Sequence, residues 1–478
     1  MPKRSRLATP RRFFILATAI VAGVASISWA SQGRREPDAR YARDQAGAFP
    51  DRVVLTWSDD PATTQSVTWR TDTTVASAQA QVAMATDGPT LGDSAISIVA
   101  KTSTLRADSV THAELTVNYH SATFNDLLPD TKYAYRVGDG ERWSAWYHFR
   151  TASDRAEPFS FLYLGDVQND ILSLWSRVIR EGFRTAPDSR FIIHAGDLVN
   201  QANNDGEWSE WFEGGGFIHA MVPSVPAAGN HEYAPRNADE REQREKHLSV
   251  FWREQFTLPK NGVSELAESN YWFDYQGVRV LVLDSNREQE AQARWMRRVL
   301  RSNPQRWTIA TFHHPIFSAA TERDNPKLRA LWKPVFDELG VDLVLQGHDH
   351  TYARGREPQI LRAADGTVGS ALHNVQDGMN TRDHESGTVY VVSVSGGKMY
   401  DSPPDGWQPY NAVLERKAEN TQLFQVIHVS GDTLRYRAHT ATGTLYDAFE
   451  LHKGNAGGRN RFVETMPTAE ASFPRVKR

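Results

Sequence analysis

Five short polar segments of this sequence contain the residue types that bind divalent metal ions. Two of them are Gly-Asp pairs, which place Asp166 and Asp197 directly after apolar runs. The other three are GNHE at residues 229–232, HHP at residues 313–315 and GHDH at residues 347–350. Carboxylate and amide oxygens and imidazole nitrogens are ligands for hard and borderline cations. The segments together therefore predict a metal site.

The last segment is arranged for chelation. Alternate residues of an extended chain point to the same side, so His348 and His350 can bind one ion or two neighbouring ions. A His-x-His pair or a single aspartate at a strand end is common without a metal. The combination of five such segments, each after an apolar strand or a Pro/Ala-rich lead-in, is what makes coincidence implausible.

The segments require a sheet that brings distant strand ends together. Apolar runs predict strands at residues 159–164, 191–195, 279–283, 307–312, 341–345 and 388–394. Helical spacing of apolar residues predicts helices at residues 171–183, with Asp170 as N-cap, 289–300 and 326–339. This alternation indicates an α/β domain over residues 156–452, and ligand sites in such sheets lie at the carboxyl ends of strands.

A separate all-β domain precedes the α/β domain. Residues 49–152 contain short runs of β-forming residues separated by turn residues, at 53–57, 66–70, 113–117, 132–137 and 146–149. About seven strands in roughly one hundred residues indicate a β-sandwich. The fold class is therefore an all-β sandwich followed by an α/β domain.

The two ends of the chain carry other signals. A basic stretch, an apolar run from Phe13 to Trp29 and a small-x-small tripeptide ending at Ala30 predict an export signal over residues 1–30. A retained membrane anchor is the alternative. The pair Arg11 and Arg12 before Phe13 resembles a twin-arginine signal, or is a chance pair in a basic region. We expect a linker at 31–48, a disordered tail at 453–478, and a periplasmic or secreted protein.

Composition excludes several classes of function. The 478 residues include no cysteine, so disulfides, thiolate metal sites and cysteine nucleophiles are excluded. The 54 basic and 58 acidic residues give a net charge of −4, which provides no reason to expect nucleic acid or an anionic membrane as a partner. We expect no stable membrane span after signal cleavage; the oligomeric state is left open.

The order GD, GD, GNHE, HxP and GHxH resembles the calcineurin-like metallophosphoesterases, and within them the purple acid phosphatases. The resemblance runs from about residue 49 to residue 451. It includes an N-terminal fibronectin type III-like domain, because residues 127–138 resemble the end of such a domain. It implies that the α/β domain is a four-layer αββα sandwich with two metal ions.

The resemblance also implies how the metal ligands are shared. Asp197 is expected to bridge both ions. The other ligands are Asp166 and His350 for the first ion, and Asn230, His313 and His348 for the second. His231 is expected to contact the substrate and protonate the leaving oxygen, the alternative being a hydrogen bond that orients a metal ligand. Two cations about 3.5–4 Å apart can stabilise the attacking and leaving oxygens of a phosphate ester.

Two positions depart from the family pattern. Purple enzymes have a tyrosine three residues after the bridging aspartate, where this chain has Asn200; other members have a histidine two residues after the first aspartate, where this chain has Gln168. We expect the amide oxygen of Gln168, or otherwise that of Asn200, to complete the first metal's shell. The alternative is that both only orient water. Neither amide replaces a tyrosinate, so we expect a colourless centre with two divalent Mn, Zn or Fe ions.

The expected activity is that of an exported phosphomonoesterase resembling acid phosphatases. The same metal centre would support hydrolysis of nucleotide or phospholipid-type diesters, because the discriminating groups lie in loops. A noncatalytic metal-binding surface protein is a further alternative. The presence of Asp197, Asn230, His231 and both histidines of the GHDH segment argues against it.

Overall fold

The structure is a computed structural model of the chain. It describes residues 45–107, 115–236, 238–356, 360–362, 368–370, 379–454 and 459–467. The predicted export signal, and most of the predicted linker, lie outside these ranges. Within them, no helix combines the length and apolarity that crossing a bilayer requires.

Eight strands form the N-terminal β-sandwich. They are β1 (Asp51–Thr56), β2 (Gln65–Thr71), β3 (Gln79–Met84), β4 (Ile96–Val99), β5 (Lys101–Ala107), β6 (Leu115–Phe124), β7 (Lys132–Gly138) and β8 (Tyr147–Arg150). One sheet has the order β1-β2-β6-β5 and the other β4-β3-β7-β8. Leu55 and Trp69 of the first sheet pack in one apolar core with Val82 and Tyr135 of the second. The predicted sandwich is confirmed.

Two larger sheets form the centre of the second domain. The strands are β9 (Phe159–Leu164), β10 (Ile192–His194), β11 (Ser224–Pro226), β12 (Tyr233–Ala234), β13 (His247–Leu248), β14 (Tyr271–Tyr275), β15 (Val278–Val282), β16 (Trp307–Phe312), β17 (Leu343–Gln346), β18 (Tyr352–Arg356), β19 (Ile360–Arg362), β20 (Val368–Ser370), β21 (Met379–Ser386), β22 (Val389–Val392), β23 (Val413–Ala418), β24 (Leu423–Ser430), β25 (Thr433–Thr440), β26 (Leu445–His452) and β27 (Asn460–Pro467). The eight-stranded sheet has the order β11-β10-β9-β24-β25-β26-β27-β21, and the seven-stranded sheet β14-β15-β16-β17-β22-β18-β23. Two-stranded ribbons pair β12 with β13 and β19 with β20.

Helices cover the outer faces of both large sheets. They are α1 (Ser176–Thr185), α2 (Asp205–Gly215), α3 (Phe217–Met221), α4 (Ala238–Gln243), α5 (Trp252–Gln255), α6 (Gln289–Arg301) and α7 (Pro326–Leu339). Val280 and Val282 of β15 belong to the core shared with the eight-stranded sheet, whereas Leu281 packs with α6 and α7. This alternation follows from the two-residue period of a strand buried on both faces. The predicted four-layer αββα sandwich is confirmed.

Two local predictions were wrong. The helix predicted at 171–183 begins with a π-helical turn (Ile171–Trp175), and the Asp170 side chain does not cap it. Asp170 has a left-handed backbone with φ of 56°, whereas a capping residue usually has an extended one. The predicted disordered tail contains β27, which pairs with both β26 and β21. Phe462 of β27 is fully buried, because the strand lies inside the sheet and contributes to its core.

A buried ion network joins the two domains. Nη1 of Arg52, in β1, lies 2.6 Å from a carboxylate oxygen of Asp205, at the start of α2. Nη1 of Arg70, in β2, lies 3.2 Å from the other oxygen of the same carboxylate. Breaking a buried pair leaves an uncompensated charge, so these contacts resist separation of the domains.

Candidate metal centre

The five polar segments converge where the carboxyl ends of strands from both large sheets meet. Asp166 and Asp197 follow β9 and β10 of one sheet, and the GNHE segment follows β11. His313 follows β16 and the GHDH segment follows β17 of the other sheet. The backbone amide of His348 donates to Oδ2 of Asp166 at 2.6 Å, which ties the two sheets together at this point.

Sharp backbone turns aim these side chains inward. Gly196, which precedes Asp197, has a φ of 87°. The ligand residues themselves also turn: four have left-handed backbones, namely Asp166, Asp197, His348 and His350, with φ of 39°, 52°, 75° and 47°.

Two glycines allow the segments to approach each other closely. A Cβ atom on Gly229 would lie 2.1 Å from Oδ1 of Asp197. A Cβ atom on Gly347 would lie 2.4 Å from Oδ2 of Asp166. Real side chains do not tolerate such distances, so the close packing of the ligands requires glycine at both positions.

The ligand set predicted for the second ion lies together. Nε2 of His313 is 3.1 Å from Oδ1 of Asn230, 3.1 Å from Oδ2 of Asp197 and 3.1 Å from Nδ1 of His348. Ligands that surround a tetrahedral ion at about 2.0–2.2 Å are themselves separated by roughly 3.3–3.6 Å. The spacing is close to that value, so these residues fit a metal ion.

The ligand set predicted for the first ion lies beside it. Ligand atoms of Asp166, Asp197 and His350 fall within 4.8 Å of one another. All three side chains are buried, and Oδ1 of Asp166 has no hydrogen-bond partner in the described part of the chain. A buried carboxylate oxygen without a donor is costly unless a cation compensates it. The donor set therefore fits two ions that share Asp197.

The two amide candidates occupy different places. Nε2 of Gln168 lies 2.9 Å from Oδ2 of Asp197 and 2.9 Å from Nε2 of His350, so its side chain is inside the first site. Asn200 takes part through its backbone: its carbonyl accepts from Nδ1 of His231 and its amide donates to Glu207. Among the described residues, no hydrogen bond joins the Asn200 side chain to a metal-ligand candidate.

His231 stands at the edge of the centre. Its Nδ1 donates to the carbonyl oxygen of Asn200 at 2.6 Å, and its Nε2 lies 4.0 Å from Oδ2 of Asp197. The side chain is 27% exposed, whereas Asp166, Asp197, His313 and His350 are buried. With Nδ1 held as a donor to the backbone, Nε2 is the nitrogen that can exchange a proton with a substrate.

Glu232 is a functional residue whose role the sequence did not reveal. Its carboxylate accepts from the backbone amides of Asp197, Leu198 and Gly229 at 2.7–2.8 Å. Burial, followed by the charge of Asp197, raises the pKa of Glu232 to about 8. The carboxylate fastens the loop of the bridging aspartate to the loop of the ligand asparagine. Its place in the GNHE segment was the available signal.

The pKa values of the two aspartates shift in opposite directions. Burial raises the pKa of Asp166 well above its usual range. Burial acts in the same direction on Asp197, but the charge of His313 and its hydrogen bond lower the pKa of Asp197 below the usual range. Burial opposes the charged form of His313, yet Asp197 raises the pKa of His313 to about 9. Asp197 is therefore the anionic centre of the cluster, which suits the bridging role expected for it.

Comparison with known proteins agrees with this geometry. Residues 50–151 match the purple acid phosphatase N-terminal domain, and residues 159–352 match the calcineurin-like phosphoesterase family. An uncharacterized protein of Mycobacterium tuberculosis is 28% identical over 454 residues, which cover 86% of this chain and 80% of that protein. Purple acid phosphatase 1 of Ipomoea batatas is 26% identical over 322 residues, which cover 62% of this chain and 63% of the plant protein.

Solved structures share the fold. Purple acid phosphatase PPD1 from yellow lupin (Lupinus luteus) seeds superposes with a TM-score of 0.65 at 18% identity, covering 84% of this chain and 74% of that chain. PhoD superposes with a TM-score of 0.60 at 12% identity, covering 90% and 95%. The domains, the converging ligands and these relatives lead to one conclusion: a purple acid phosphatase N-terminal domain precedes a calcineurin-like phosphoesterase domain, and the chain is a purple acid phosphatase-like metal-dependent hydrolase whose donor set fits a dinuclear centre.

Proposed function

We propose that this protein is an exported phosphatase that hydrolyses phosphate monoesters. The observation that carries the proposal is the placement of His231, whose Nε2 faces the two-metal centre from a partly exposed position. A proton donor there suits an alkoxide leaving group. Relatives named purple acid phosphatase 1 and acid phosphatase type 7 support the choice of phosphatase chemistry.

Each side chain has a defined task in this reaction. Two bound cations supply charge stabilisation for the phosphate oxygens and a hydroxide nucleophile at neutral pH. Asp197 would be the ligand that holds both cations. Asn230 and the histidines add no negative charge that would repel the phosphate. Nε2 of His231 gives its proton to the leaving oxygen.

We also propose divalent Mn, Zn or ferrous ions in a colourless centre. Gln168 supports this choice, because its amide lies between Asp197 and His350, where half a rotation would present its unpartnered Oε1 to the first ion. Asn200 stands where purple enzymes have tyrosine. A strong visible charge-transfer band in the metal-loaded protein would contradict the proposal.

Metal analysis combined with parallel assays tests the activity. Wild type, Asp197→Asn and His231→Ala are compared on nitrophenyl phosphate and on bis(nitrophenyl) phosphate. We expect the monoester to be preferred, Asp197→Asn to lose metal and activity, and His231→Ala to keep its metals. Preference for the diester would make the protein a phosphodiesterase. Full activity of Asp197→Asn would disprove the dinuclear mechanism, and no hydrolysis by the metal-loaded wild type would favour a noncatalytic protein.

The export proposal has its own test. Residues 1–30 provide the support, with a basic start, an apolar run and Ala30 at the expected cleavage point. We expect the N-terminus of the protein from an exporting bacterial host to begin after Ala30. A double variant with Arg11→Lys and Arg12→Lys should not be exported if the protein uses the twin-arginine route. An uncleaved protein in the membrane fraction would support the anchor alternative.

A further inference from the structure

Arg323 is a cation at the edge of the metal centre that the activity described so far does not use. It lies between β16 and α7, and its Nη1 donates to the backbone carbonyl of His348 at 2.7 Å. Its Nη2 donates to the hydroxyl of Tyr400 at 3.3 Å, and its guanidinium lies 4.6 Å from the centre of that ring. The Arg323 side chain is 30% exposed. The guanidinium therefore lies next to a residue of the second metal site and reaches solvent.

Lys398 is a second cation at the same ring. Its backbone carbonyl accepts from Nδ1 of His350 at 2.9 Å, so it adjoins the first metal site. Its ammonium lies 5.4 Å from the ring centre of Tyr400. In the described ranges, that ammonium has neither a hydrogen bond nor an ion pair. The two cations and Tyr400 thus form one cluster beside the two histidines of the GHDH segment.

Arg323 has one ion pair among the described residues, and that pair is long. Oδ1 of Asp349 lies 3.9 Å from Arg323, but Asp349 is buried, and its other oxygen accepts from Ser318 and the backbone of Ala319. Asp324 is paired with Arg329. A guanidinium has five N–H donors, and the contacts to His348 and Tyr400 use two of them. Arg323 therefore has donors left for a ligand.

We propose that Arg323 and Lys398, which both lie at the ring of Tyr400, bind a second phosphate of the substrate, next to the phosphate that is hydrolysed. This proposal rests on the proposed phosphoester hydrolysis and names its substrate class: phosphoanhydrides and other compounds with two phosphates close together. A guanidinium matches the fork of two phosphate oxygens, and the ammonium adds a point charge. Two cations suit a phosphate, which carries up to two charges, better than a carboxylate.

Binding measurements on the full-length, Mn-loaded protein test the proposal. Inorganic phosphate, pyrophosphate and phosphonoacetate are titrated calorimetrically into wild type, Arg323→Gln and Lys398→Gln. We expect wild type to bind pyrophosphate at least about tenfold more tightly than phosphate, and each substitution to weaken pyrophosphate binding by about tenfold or more. Phosphate affinity should change less than about threefold.

Lys327→Gln is the matched control, because it removes one charge from an exposed lysine whose partner is Glu290. Its pyrophosphate-to-phosphate affinity ratio should equal that of wild type. The proposal would be overturned if Arg323→Gln and Lys398→Gln had the same pyrophosphate-to-phosphate affinity ratio as wild type. It would also be overturned if the two substitutions weakened only the binding of phosphonoacetate. Lys398→Gln breaks no side-chain hydrogen bond or ion pair of the described residues, so the test does not depend on Arg323→Gln folding.

The two proposals can fail separately. Absence of hydrolysis would disprove the proposed function while leaving the affinity ratios informative. Normal hydrolysis of nitrophenyl phosphate with unchanged affinity ratios would disprove the second-phosphate site alone.

Discussion

Nδ1 of His231 lies 2.6 Å from the backbone carbonyl of Asn200, and this bond determines which nitrogen faces the metal centre. The amide of Asn200 in turn donates to Glu207, in the first turn of α2. The imidazole of His231 is therefore held by a loop that a helix stabilises, while the backbone amide of His231 donates to Oδ1 of Asp197 at 2.9 Å.

His231→Ala should reveal its role through the leaving group. Without the proton donor, kcat should fall by about 100-fold or more on an alkyl phosphate, whose leaving oxygen needs a proton. It should fall less than about tenfold on nitrophenyl phosphate, whose leaving group is stable as an anion. Steady-state kinetics on both substrates, with metal content as control, make the measurement. Equal losses on both substrates together with loss of metal would instead indicate that His231 orients a ligand.

Gln168→Leu should weaken the first metal site selectively. Its amide contacts Asp197 and His350, so we expect affinity for one of the two ions to fall by about 10–100-fold. Asn200→Ala is the matched control, because Asn200 contacts His231 through its backbone. Competition with a chelator measures both affinities. The reverse result, with metal lost only from Asn200→Ala, would assign the ligand to Asn200.

Gly347→Ala should disable the centre. The new methyl group would meet Oδ2 of Asp166 at 2.4 Å and the carbonyl oxygen of Ala195 at 2.9 Å, so a ligand loop must move. Misplacement by about 1 Å can cost on the order of 100-fold in rate. Gly387→Ala, where no atom of the described residues lies within 4 Å of the added carbon, should retain wild-type kcat/KM. Full activity of Gly347→Ala would show that the loops tolerate a wider spacing.

Stability should decrease below neutral pH because of buried histidines. His120 is buried in the sandwich, where its ring contacts Thr71 and Thr102, and burial lowers its pKa to about 4. In the unfolded chain the pKa is about 6.5, so between pH 6.5 and 4 only the unfolded chain gains the proton. The resulting loss is on the order of 1–3 kcal/mol as pH falls through this window. Urea unfolding of wild type and His120→Gln at pH 7 and pH 5 should show a smaller pH dependence in the variant; equal pH dependence would contradict the assignment.

Phe462→Ala should test the C-terminal strand. Phe462 is fully buried in β27, so truncating it should lower the free energy of unfolding by about 3–5 kcal/mol. Phe49, which is 65% exposed, provides the control, and Phe49→Ala should change stability by less than about 0.5 kcal/mol. A stability change as small as the control's would mean that β27 contributes little in solution.

The sequence was informative where ligands follow strands. Asp166 and His313 could be assigned because each comes directly after an apolar run, and the carboxyl ends of strands meet at one edge. Contacts that depend on tertiary structure were not accessible: Arg323 follows no strand, and only the fold brings it to His348. Polar and apolar residues of β27 come in pairs and do not alternate, so the two-residue period that indicates a strand is missing. The neighbouring strands β21 and β26 supply the pairing.

The left-handed backbone at Asp166, Asp197, His348 and His350 limits what evolution or design can place there. Aspartate, asparagine and histidine are the non-glycine residues that adopt this conformation most readily, whereas branched and bulky residues rarely do. Each of these positions is thus constrained twice, by coordination and by main-chain geometry. Few substitutions at these four positions would preserve the backbone while changing the metal preference of the centre. The backbone at His313 and Asn230 is not left-handed, so more residue types fit there.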